Sequence, residues 1–206
     1  MILEIRTYDL LPGRSQKVLD KIGAALPERV RLSPLAAMWN VEVGQLDRII
    51  HFWPWTDLAQ RTEVRARFSE LNNWPVRNDD DIVSSDSWIM RPAPFTPPLA
   101  KAALGPVYEI CIDRMKPHAL DKILSTWEPM IEKRSKLAPF VGAWSSIIGP
   151  LNTWVHVWGY ESLEHRREVT AEAVSRGVWP PAASPDTLFA QRTVSLAHPA
   201  SYSLLS

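Results

Sequence analysis

The chain contains one sequence pattern written twice at a fixed spacing. The stretch LDRIIHFWPW begins at Leu46, and LNTWVHVWGY begins at Leu151, 105 positions later. The same spacing relates these further pairs without a gap: Glu4 and Glu109, Pro12 and Pro117, Trp39 and Trp144, Gly44 and Gly149, Leu58 and Leu163, Arg61 and Arg166, and Trp74-Pro75 and Trp179-Pro180. Self-similarity at a fixed period indicates a repeated structural unit. The sequence therefore predicts two copies of one fold.

Alternating and helical patterns give each copy the order β-α-β-β-α-β, which is that of a ferredoxin-like unit. In the first copy we predict strands at 2–8, 35–43, 46–53 and 82–90, and helices from Ser15 toward Leu32 and at 57–71. In the second copy we predict strands at 107–112, 141–148, 151–158 and 187–196, and helices at 118–136 and 162–176. We also expect Ser15 and Thr56 to cap helices, Pro27 to kink or break the first helix, and Pro54 to stop the third strand.

A segment rich in proline and alanine separates the two copies. We assign residues 1–97 to the first unit, 98–106 to a linker and 107–206 to a second, diverged unit. A ferredoxin-like unit covers one face of its sheet with helices, so the other face needs a partner. We therefore expect an α+β fold in which the two units pack sheet to sheet as a pseudo-symmetric barrel, with the tail 197–206 crossing to the other half.

Composition narrows the classes of function. The 23 basic and 23 acidic residues balance, whereas a nucleic-acid-binding protein usually has a basic face. No apolar run approaches the ~20 residues of a membrane span, and the N-terminus enters a strand pattern at once. We therefore expect no nucleic-acid or membrane partner, no signal peptide and a cytoplasmic location. The single cysteine, Cys111, excludes an internal disulfide, and ten tryptophans indicate large apolar interfaces or an aromatic-lined cavity.

The third strand of each copy alternates between two sets of side chains. We place one set inward, toward the centre of the barrel: Ile49, His51, Trp53 and Trp55 in the first copy, and Trp154, His156, Trp158 and Tyr160 in the second. Val155 and Val157 are then expected to face the helices. Because His, Trp and Tyr beside Glu4, Arg6 and Tyr8 make a poor hydrocarbon core, we expect them to line a ligand cavity inside the barrel.

Several short motifs of the first copy together form a recognisable set: Glu4-Ile5-Arg6-Thr7-Tyr8, Pro12-Gly13, Trp39, Gly44-x-Leu46, His51-x-Trp53-x-Trp55 and Leu58-x-x-Arg61-x-x-x-Arg65. This set resembles the NIPSNAP domain over nearly all of residues 2–97, and more weakly over 107–197. The resemblance implies the dimeric α+β barrel superfamily, which includes cofactor-free monooxygenases, haem-degrading enzymes, haem-binding chlorite dismutases and small lyases. It implies no single reaction.

The second copy departs from these motifs at four positions: Cys111, Asp113, His118 and Thr170 replace Arg6, Tyr8, Gly13 and Arg65. We therefore expect the working site in the first copy. Its predicted catalytic residues are His51, which would move a proton, Arg6 and Tyr8, which would hold an oxyanion, and Glu4. The predicted substrate-binding residues are Trp53, Trp55, Trp39, His156, Trp158, Tyr160 and Glu109.

Each of these residues also has a structural interpretation. The histidines could satisfy partners in the barrel wall, and Glu4 could form an ion pair with Arg61 or Arg6, as Glu109 could with Arg166. Arg61 and Arg65 could pack their stems along the second helix. Cys111 is expected to be a small buried residue rather than a nucleophile.

We predict a small-molecule enzyme that removes a proton from an apolar aromatic or carbonyl substrate without a cofactor, leading to oxygenation, isomerisation or a lyase step. One alternative is a non-catalytic ligand-binding or interaction scaffold. Another is a haem-binding barrel with His51 or His156 as the axial ligand. The histidines lack zinc-like spacing, so no metal site is expected. One chain suffices to close the barrel, and a homodimer or larger assembly is left open.

Overall fold

The computed structural model describes residues 1–77, 80–180 and 188–206. The first half contains β1 (Ile2–Leu10), α1 (Ser15–Arg29), β2 (Ala37–Val43), β3 (Arg48–Trp55), α2 (Leu58–Ala66), a 3-10 helix (Arg67–Glu70) and β4 (Ile82–Pro92). The second half contains β5 (Val107–Met115), α3 (Leu120–Ser135), β6 (Phe140–Ile148), β7 (Thr153–Tyr160), α4 (Leu163–Ser175) and β8 (Phe189–Pro199). This is the predicted order in each half. Position 187, the predicted start of the last strand, lies outside the described residues.

The eight strands form one closed barrel in the order β1-β3-β2-β8-β5-β7-β6-β4. Each half contributes a four-stranded antiparallel sheet, and the halves join where β2 pairs with β8 and β4 pairs with β6. Joining the sheets in this way pairs strands that would otherwise be exposed edges. The predicted α+β barrel of two ferredoxin-like units is therefore confirmed.

The two halves also repeat unusual backbone conformations. Asp47 and Asn152, which stand at the same place in the two copies, both have a φ of 53°, in the left-handed region that Asp and Asn tolerate better than most residues. The Trp-Pro bonds at 74–75 and 179–180 are both cis. The repetition therefore extends from the residue pattern to the backbone.

Apolar side chains from both halves fill the interior of the barrel. Ile50 and Phe52 of β3 and Val155 and Val157 of β7 belong to one buried cluster there. Across the junction of the halves, the ring of Phe52 lies 5.3 Å from that of Trp144. The barrel interior is thus a packed core, and the prediction that Val155 and Val157 face the helices is wrong.

The rows of His, Trp and Tyr side chains lie on the outside of the barrel, beneath the helices. In the first half, Ile49, Trp53 and Trp55 pack with residues of α1, and in the second half Trp154, Trp158 and Tyr160 pack with residues of α3. On β1, Leu3 and Ile5 point into the barrel core, so Glu4, Arg6 and Tyr8 share the outer face. The predicted cavity inside the barrel is therefore wrong, and so is the inward placement of these rows.

Four local predictions also need correction. The N-cap of α2 is Asp57 rather than Thr56, and its carboxylate accepts the backbone N–H of Gln60. α1 begins at Ser15 after the N-cap Arg14, and it continues through Pro27 to Arg29. β3 continues through Pro54. At this residue β3 pairs only with β1, because its pairing with β2 ends at Phe52. A proline lacking a ladder donor is tolerated at such a position.

The segment between the halves and the C-terminal tail are bonded to each other and to the barrel. The backbone N–H of Ala102 donates to Leu204 O, and that of Leu104 donates to Ser206 O. The backbone N–H of Ala200 donates to Met38 O, and Tyr202 Oη donates to Leu19 O in the first half. The prediction that the tail crosses to the other half is confirmed.

Candidate functional site

A cavity of about 310 Å³ lies between the outer face of the first-half sheet and the helices that cover it. A volume of that order suits a small organic ligand. Its lining residues are Arg6, Tyr8, Ile22, His51, Arg65, Phe68, Trp74, Pro75, Val76 and Ile82. Three of the four predicted catalytic residues, Arg6, Tyr8 and His51, therefore meet around one cavity, although that cavity is outside the barrel.

His51 is buried, and Trp53 fixes the proton position on its ring. Trp53 Nε1 donates to His51 Nδ1 at 2.7 Å, so in the neutral ring the proton resides on Nε2. Burial, and next the charge of Arg6, lower the pKa of His51 well below its usual value. Nε2 has no hydrogen-bond partner among the described residues. His51 is therefore a neutral N–H donor at the cavity, rather than the base that we expected, because the only free lone pair of the ring is already occupied.

Arg6, Arg65 and Tyr8 surround this histidine. The Arg6 Nε lies 4.0 Å from Glu4 Oε1 and has no hydrogen-bond partner within the described ranges, while Arg65 Nη1 lies 3.9 Å from the same oxygen. The ring centroids of Tyr8 and His51 are 4.8 Å apart, edge to face. Burial raises the pKa of Tyr8, so its hydroxyl stays protonated and able to donate.

Glu4 lies beneath the cavity and is fully engaged. Its carboxylate accepts two hydrogen bonds from Arg61, at 2.9 and 2.8 Å, one from Trp55 at 3.1 Å and one from Ser87 at 2.7 Å. Burial alone would raise the pKa of Glu4, but these bonds and the charges of Arg61 and Arg6 lower it to about 2. The structural interpretation, an ion pair with Arg61, is confirmed. A carboxylate held in this way does not exchange protons near neutrality, so the predicted catalytic role of Glu4 is not supported.

The cavity consequently has an excess of positive charge. Arg61 pairs with Glu4 at 2.8 Å, and among the described residues Arg6 and Arg65 have only longer ion-pair contacts with the same carboxylate, at 4.0 and 3.9 Å. Burial, and next the charge of Arg6, lower the pKa of Arg65, as expected for crowded cations. Guanidinium groups in this state suit an anionic ligand.

Arg29 is a residue of this site that the sequence patterns did not single out. It is 2% exposed, and its guanidinium carbon lies 4.2 Å from the Trp53 ring centre and 4.3 Å from that of Phe68. It donates to the carbonyl oxygen and the hydroxyl of Ser33, and burial lowers its pKa to about 10. The 105-residue repeat offered a signal, because an arginine, Arg134, stands at the same place in the second copy.

The other residues predicted for the site are not on the cavity surface. Trp53 and Trp55 lie behind it, where they hold His51 and Glu4. Trp39 is inside the barrel, where its ring lies 5.3 Å from that of Tyr108. Trp74, which was not among the predicted site residues, does line the cavity.

The second half repeats the supporting framework around its own histidine. Trp158 Nε1 donates to His156 Nδ1 at 3.1 Å. Arg166 donates twice to Glu109, at 2.8 and 3.1 Å, and Tyr160 Oη donates to the same carboxylate at 3.1 Å. The predicted Glu109–Arg166 ion pair is confirmed. His156, Trp158, Tyr160 and Glu109 thus form a separate network under α3 and α4, and they do not join the first-half site.

The groups that face this second histidine are different. Trp127 takes the place of Ile22, and its ring lies 4.8 Å from that of His156 and 4.6 Å from that of Trp179. Asp113 takes the place of Tyr8, and its Oδ2 lies 3.6 Å from His156 Nε2 and 3.4 Å from Arg192 Nε.

Cys111 occupies the place of Arg6 and is buried. Burial, and next the charges of Glu109 and Asp113, raise the pKa of its thiol well above the usual value. The thiol is therefore protonated near neutrality and a poor nucleophile, as expected from the sequence.

A NIPSNAP family model matches the chain twice, over residues 3–97 and 108–203. The chain belongs to the NIPSNAP family. Among curated relatives, a NipSnap homologue of Dictyostelium discoideum is 25% identical over 186 residues, which cover 86% of this chain and 78% of the relative. The human NipSnap homologue 3B is 28% identical over 171 residues, covering 79% of this chain and 68% of the relative.

Solved structures resemble this NIPSNAP protein over its whole length. A candidate monooxygenase from Lactobacillus acidophilus aligns with 96% of this chain and 93% of its own, with a TM-score of 0.67 and 10% identity. At that identity the likeness shows the fold alone. The fold is therefore an α+β barrel that these structures share, with two NIPSNAP repeats in one chain.

In residues 1–77, 80–180 and 188–206, no three or more His, Cys, Asp or Glu side chains are grouped so that they could hold a metal ion. None of the helices in these ranges is long and apolar enough to cross a membrane.

Proposed function

We propose that this NIPSNAP protein is a small-molecule enzyme whose site is the first-half cavity. The substrate would be a small, mostly apolar aromatic or carbonyl compound that reacts through its enolate or phenolate. The observation that carries the proposal is the convergence of Arg6, Tyr8, His51 and Arg65 on a cavity otherwise lined by apolar side chains. None of the described lining residues is a carboxylate.

The four polar groups suit an oxyanion rather than a cation. The Nε2–H of His51 and the hydroxyl of Tyr8 would donate to the developing negative oxygen, and Arg6 and Arg65 would supply charge. Donors fixed in place within an apolar cavity stabilise such charge more strongly than water-exposed donors do, and removing one typically costs 10²-fold or more in rate.

The same groups explain how a proton would leave the substrate without a dedicated base. Stabilising the anion lowers the pKa of the C–H or O–H group that gives rise to it. Since the Nδ1 of His51 is occupied by Trp53, the proton would pass to water at the mouth of the cavity. Oxygenation by dioxygen, isomerisation and bond cleavage can each begin from that anion, and none of these first steps requires a cofactor.

The apolar walls would hold the body of the substrate. Phe68 and Trp74 present aromatic faces, with ring centroids 6.4 Å apart, and Ile22 and Ile82 add aliphatic surface. Such walls favour a flat ring over a charged or branched group.

Proton removal can be tested before the net reaction is identified. The purified chain would be incubated in D₂O with acetophenone or phenylacetone, and loss of the α C–H signal would be followed by NMR. We expect faster exchange with the wild type than with buffer, slowed by roughly 10²-fold in Arg6→Ala. The matched control is Cys111→Ala, the corresponding position in the second half, which should leave the exchange rate unchanged. Equal effects of the two substitutions would contradict the assignment to the first half.

A non-catalytic ligand-binding role is the second candidate, and the lack of a free base on the described cavity lining favours it. Ligand-observed NMR on the same samples separates the two: binding without exchange would replace the enzyme by a binding protein. A haem-binding role is tested by the absorbance spectrum and native mass of freshly purified protein. A Soret band with matching extra mass would overturn the cofactor-free proposal.

A further inference from the structure

In the second half, the protein itself places a carboxylate next to the equivalent histidine. His156 has the same tautomer as His51, since each accepts an indole N–H at Nδ1. Its Nε2 faces the carboxylate of Asp113, at 3.6 Å from Oδ2, and Arg192 approaches the same oxygen. Asp113 is fully buried, so this carboxylate is a fixed part of the fold.

The first half has the complementary set of charges. Neither His51 Nε2 nor His156 Nε2 makes a hydrogen bond to another described residue, but in the first half Tyr8 stands in place of Asp113. Arg6 and Arg65 stand where the second half has Cys111 and Thr170. The second half therefore has its own carboxylate, Asp113, and uncharged residues where the first half has Arg6 and Arg65. The first half has two cations there and no built-in carboxylate at the position of Asp113.

We propose that the ligand of the first-half cavity carries a carboxylate, which lies against His51 Nε2 as the Asp113 carboxylate lies against His156 Nε2 in the second half. This inference rests on the proposed function, because it assumes that the cavity binds the substrate. His51 Nε2–H would be shared between one carboxylate oxygen and the neighbouring oxyanion of the substrate, to which Tyr8 also donates, and the planar carboxylate would lie against the guanidinium groups of Arg6 and Arg65. The substrate class is then a small aromatic acid, with its ring toward Phe68 and Trp74.

The size and burial of the site agree with one such acid. The cavity volume of about 310 Å³ suits a single-ring compound with a short side chain. Arg6 is about one-fifth exposed and Arg65 about one-third, so a ligand could reach both from the solvent side. A neutral molecule would leave both guanidinium groups with only the Glu4 carboxylate, 4.0 and 3.9 Å away and already paired with Arg61, as their counter-charge among the described residues.

The test compares two ligands of similar shape, phenylpyruvate and phenylacetone, in which a methyl group replaces the carboxylate. Their dissociation constants with the full chain would be measured by isothermal titration calorimetry. We expect phenylpyruvate to bind at least about tenfold more tightly, a difference of about 1.4 kcal/mol. Equal affinity would overturn the inference.

Two substitutions that introduce the second-half residues test where the carboxylate of the ligand binds. Tyr8→Asp introduces the side chain of Asp113, and it should remove the preference for phenylpyruvate, whereas the uncharged Tyr8→Asn should retain most of it. Arg65→Thr lies at a partly exposed position and should reduce the preference without changing the circular dichroism spectrum, which keeps the test decisive if Tyr8→Asp does not fold. Equal effects of Tyr8→Asp and Tyr8→Asn, with Arg65→Thr unchanged, would overturn the inference.

The outcomes also separate the inference from the proposed function. If phenylacetone undergoes accelerated exchange but phenylpyruvate binds no better than phenylacetone, the carboxylate assignment fails and the enzyme proposal stands. If neither compound binds and no exchange is accelerated, both fail.

Discussion

The two halves of this barrel share a supporting framework and differ in the residues that face the histidine. Both have a Glu–Arg pair between the first strand and the second helix, and both have an indole bonded to the histidine. The first half then presents a cavity with arginines, whereas the second places Trp127 and Asp113 against the ring. Framework and site are therefore separable in this fold.

This comparison also changes how the repeated histidine is interpreted. His51 and His156 recur because each receives the indole N–H of a buried tryptophan, which is a structural task. Any chemistry depends on the neighbours of the histidine and not on the histidine alone. Pairs of equivalent substitutions can therefore test which features are framework and which are site.

The largest difference in stability is expected between the buried carboxylate of Glu4 and the partly buried carboxylate of Glu109. Glu4→Ala should lower the free energy of unfolding by about 3–5 kcal/mol, because it leaves Arg61 without its partner. Glu109→Ala should cost less, since the Glu109 side chain is 13% exposed and that of Glu4 only 1%. Urea denaturation of both variants measures this, and a larger loss for Glu109→Ala would break the comparison.

Glu4 should also determine how the free energy of unfolding falls at acid pH. The folded-state pKa of Glu4, about 2, is below the ordinary value of 4.5, so its contribution is complete above pH 4.5 and is lost as the pH falls toward 2. The expected loss is on the order of 3 kcal/mol. The unfolding free energy of the wild type and of Glu4→Gln would be measured across this window. The variant should show a shallower decline, and parallel curves would contradict the assignment.

Exchanging the residues beneath the first helices tests the difference in packing. Trp127→Ile should cost about 2–3 kcal/mol, because it leaves a cavity beside His156. Ile22→Trp should place an indole in the first-half cavity and abolish ligand binding with a smaller change in stability. Thermal denaturation and ligand titration measure both effects. Retained binding in Ile22→Trp would place the ligand elsewhere.

The smallest effects are expected where the halves are alike. Asp57 and Ser162 each cap the N-terminus of a helix by accepting the backbone N–H three residues later. Substitution of either by alanine should cost about 1 kcal/mol, nearly equally in the two halves. Urea denaturation checks this. Clearly unequal losses would show that the halves differ in their framework as well.

The fold could be predicted because it depends on repetition and on the order of elements, both of which are visible in the sequence. Which face of each strand points into the barrel could not be predicted. All eight residues of β7 are buried, so neither face carries the polar signature that normally marks the solvent side. The polar row was assigned to a cavity in the barrel because His, Trp and Tyr side chains beside charged residues make a poor hydrocarbon core. The buried arginine that accompanies the row, Arg29, comes from α1, whose apolar stripe gave no reason to expect it.

The residues that line the site could be predicted in part. Arg6, Tyr8 and His51 were identified because they alternate on neighbouring strands, and the two strands are adjacent in the barrel. Arg65 and Trp74 reach the same cavity from a helix and a loop, and their approach depends on tertiary packing that no local pattern encodes. The role of His51 depended on one hydrogen bond from Trp53, which a strand pattern does not reveal.

The closed barrel of two fused halves has a consequence for how such a site can change over time. In a barrel assembled from two identical chains, every inherited substitution appears at both sites at once. Here β2 pairs with β8 and β4 with β6 within one polypeptide, so each half mutates independently. Fusion therefore allows one copy to be retained as scaffold while the other is free to diverge toward a new ligand.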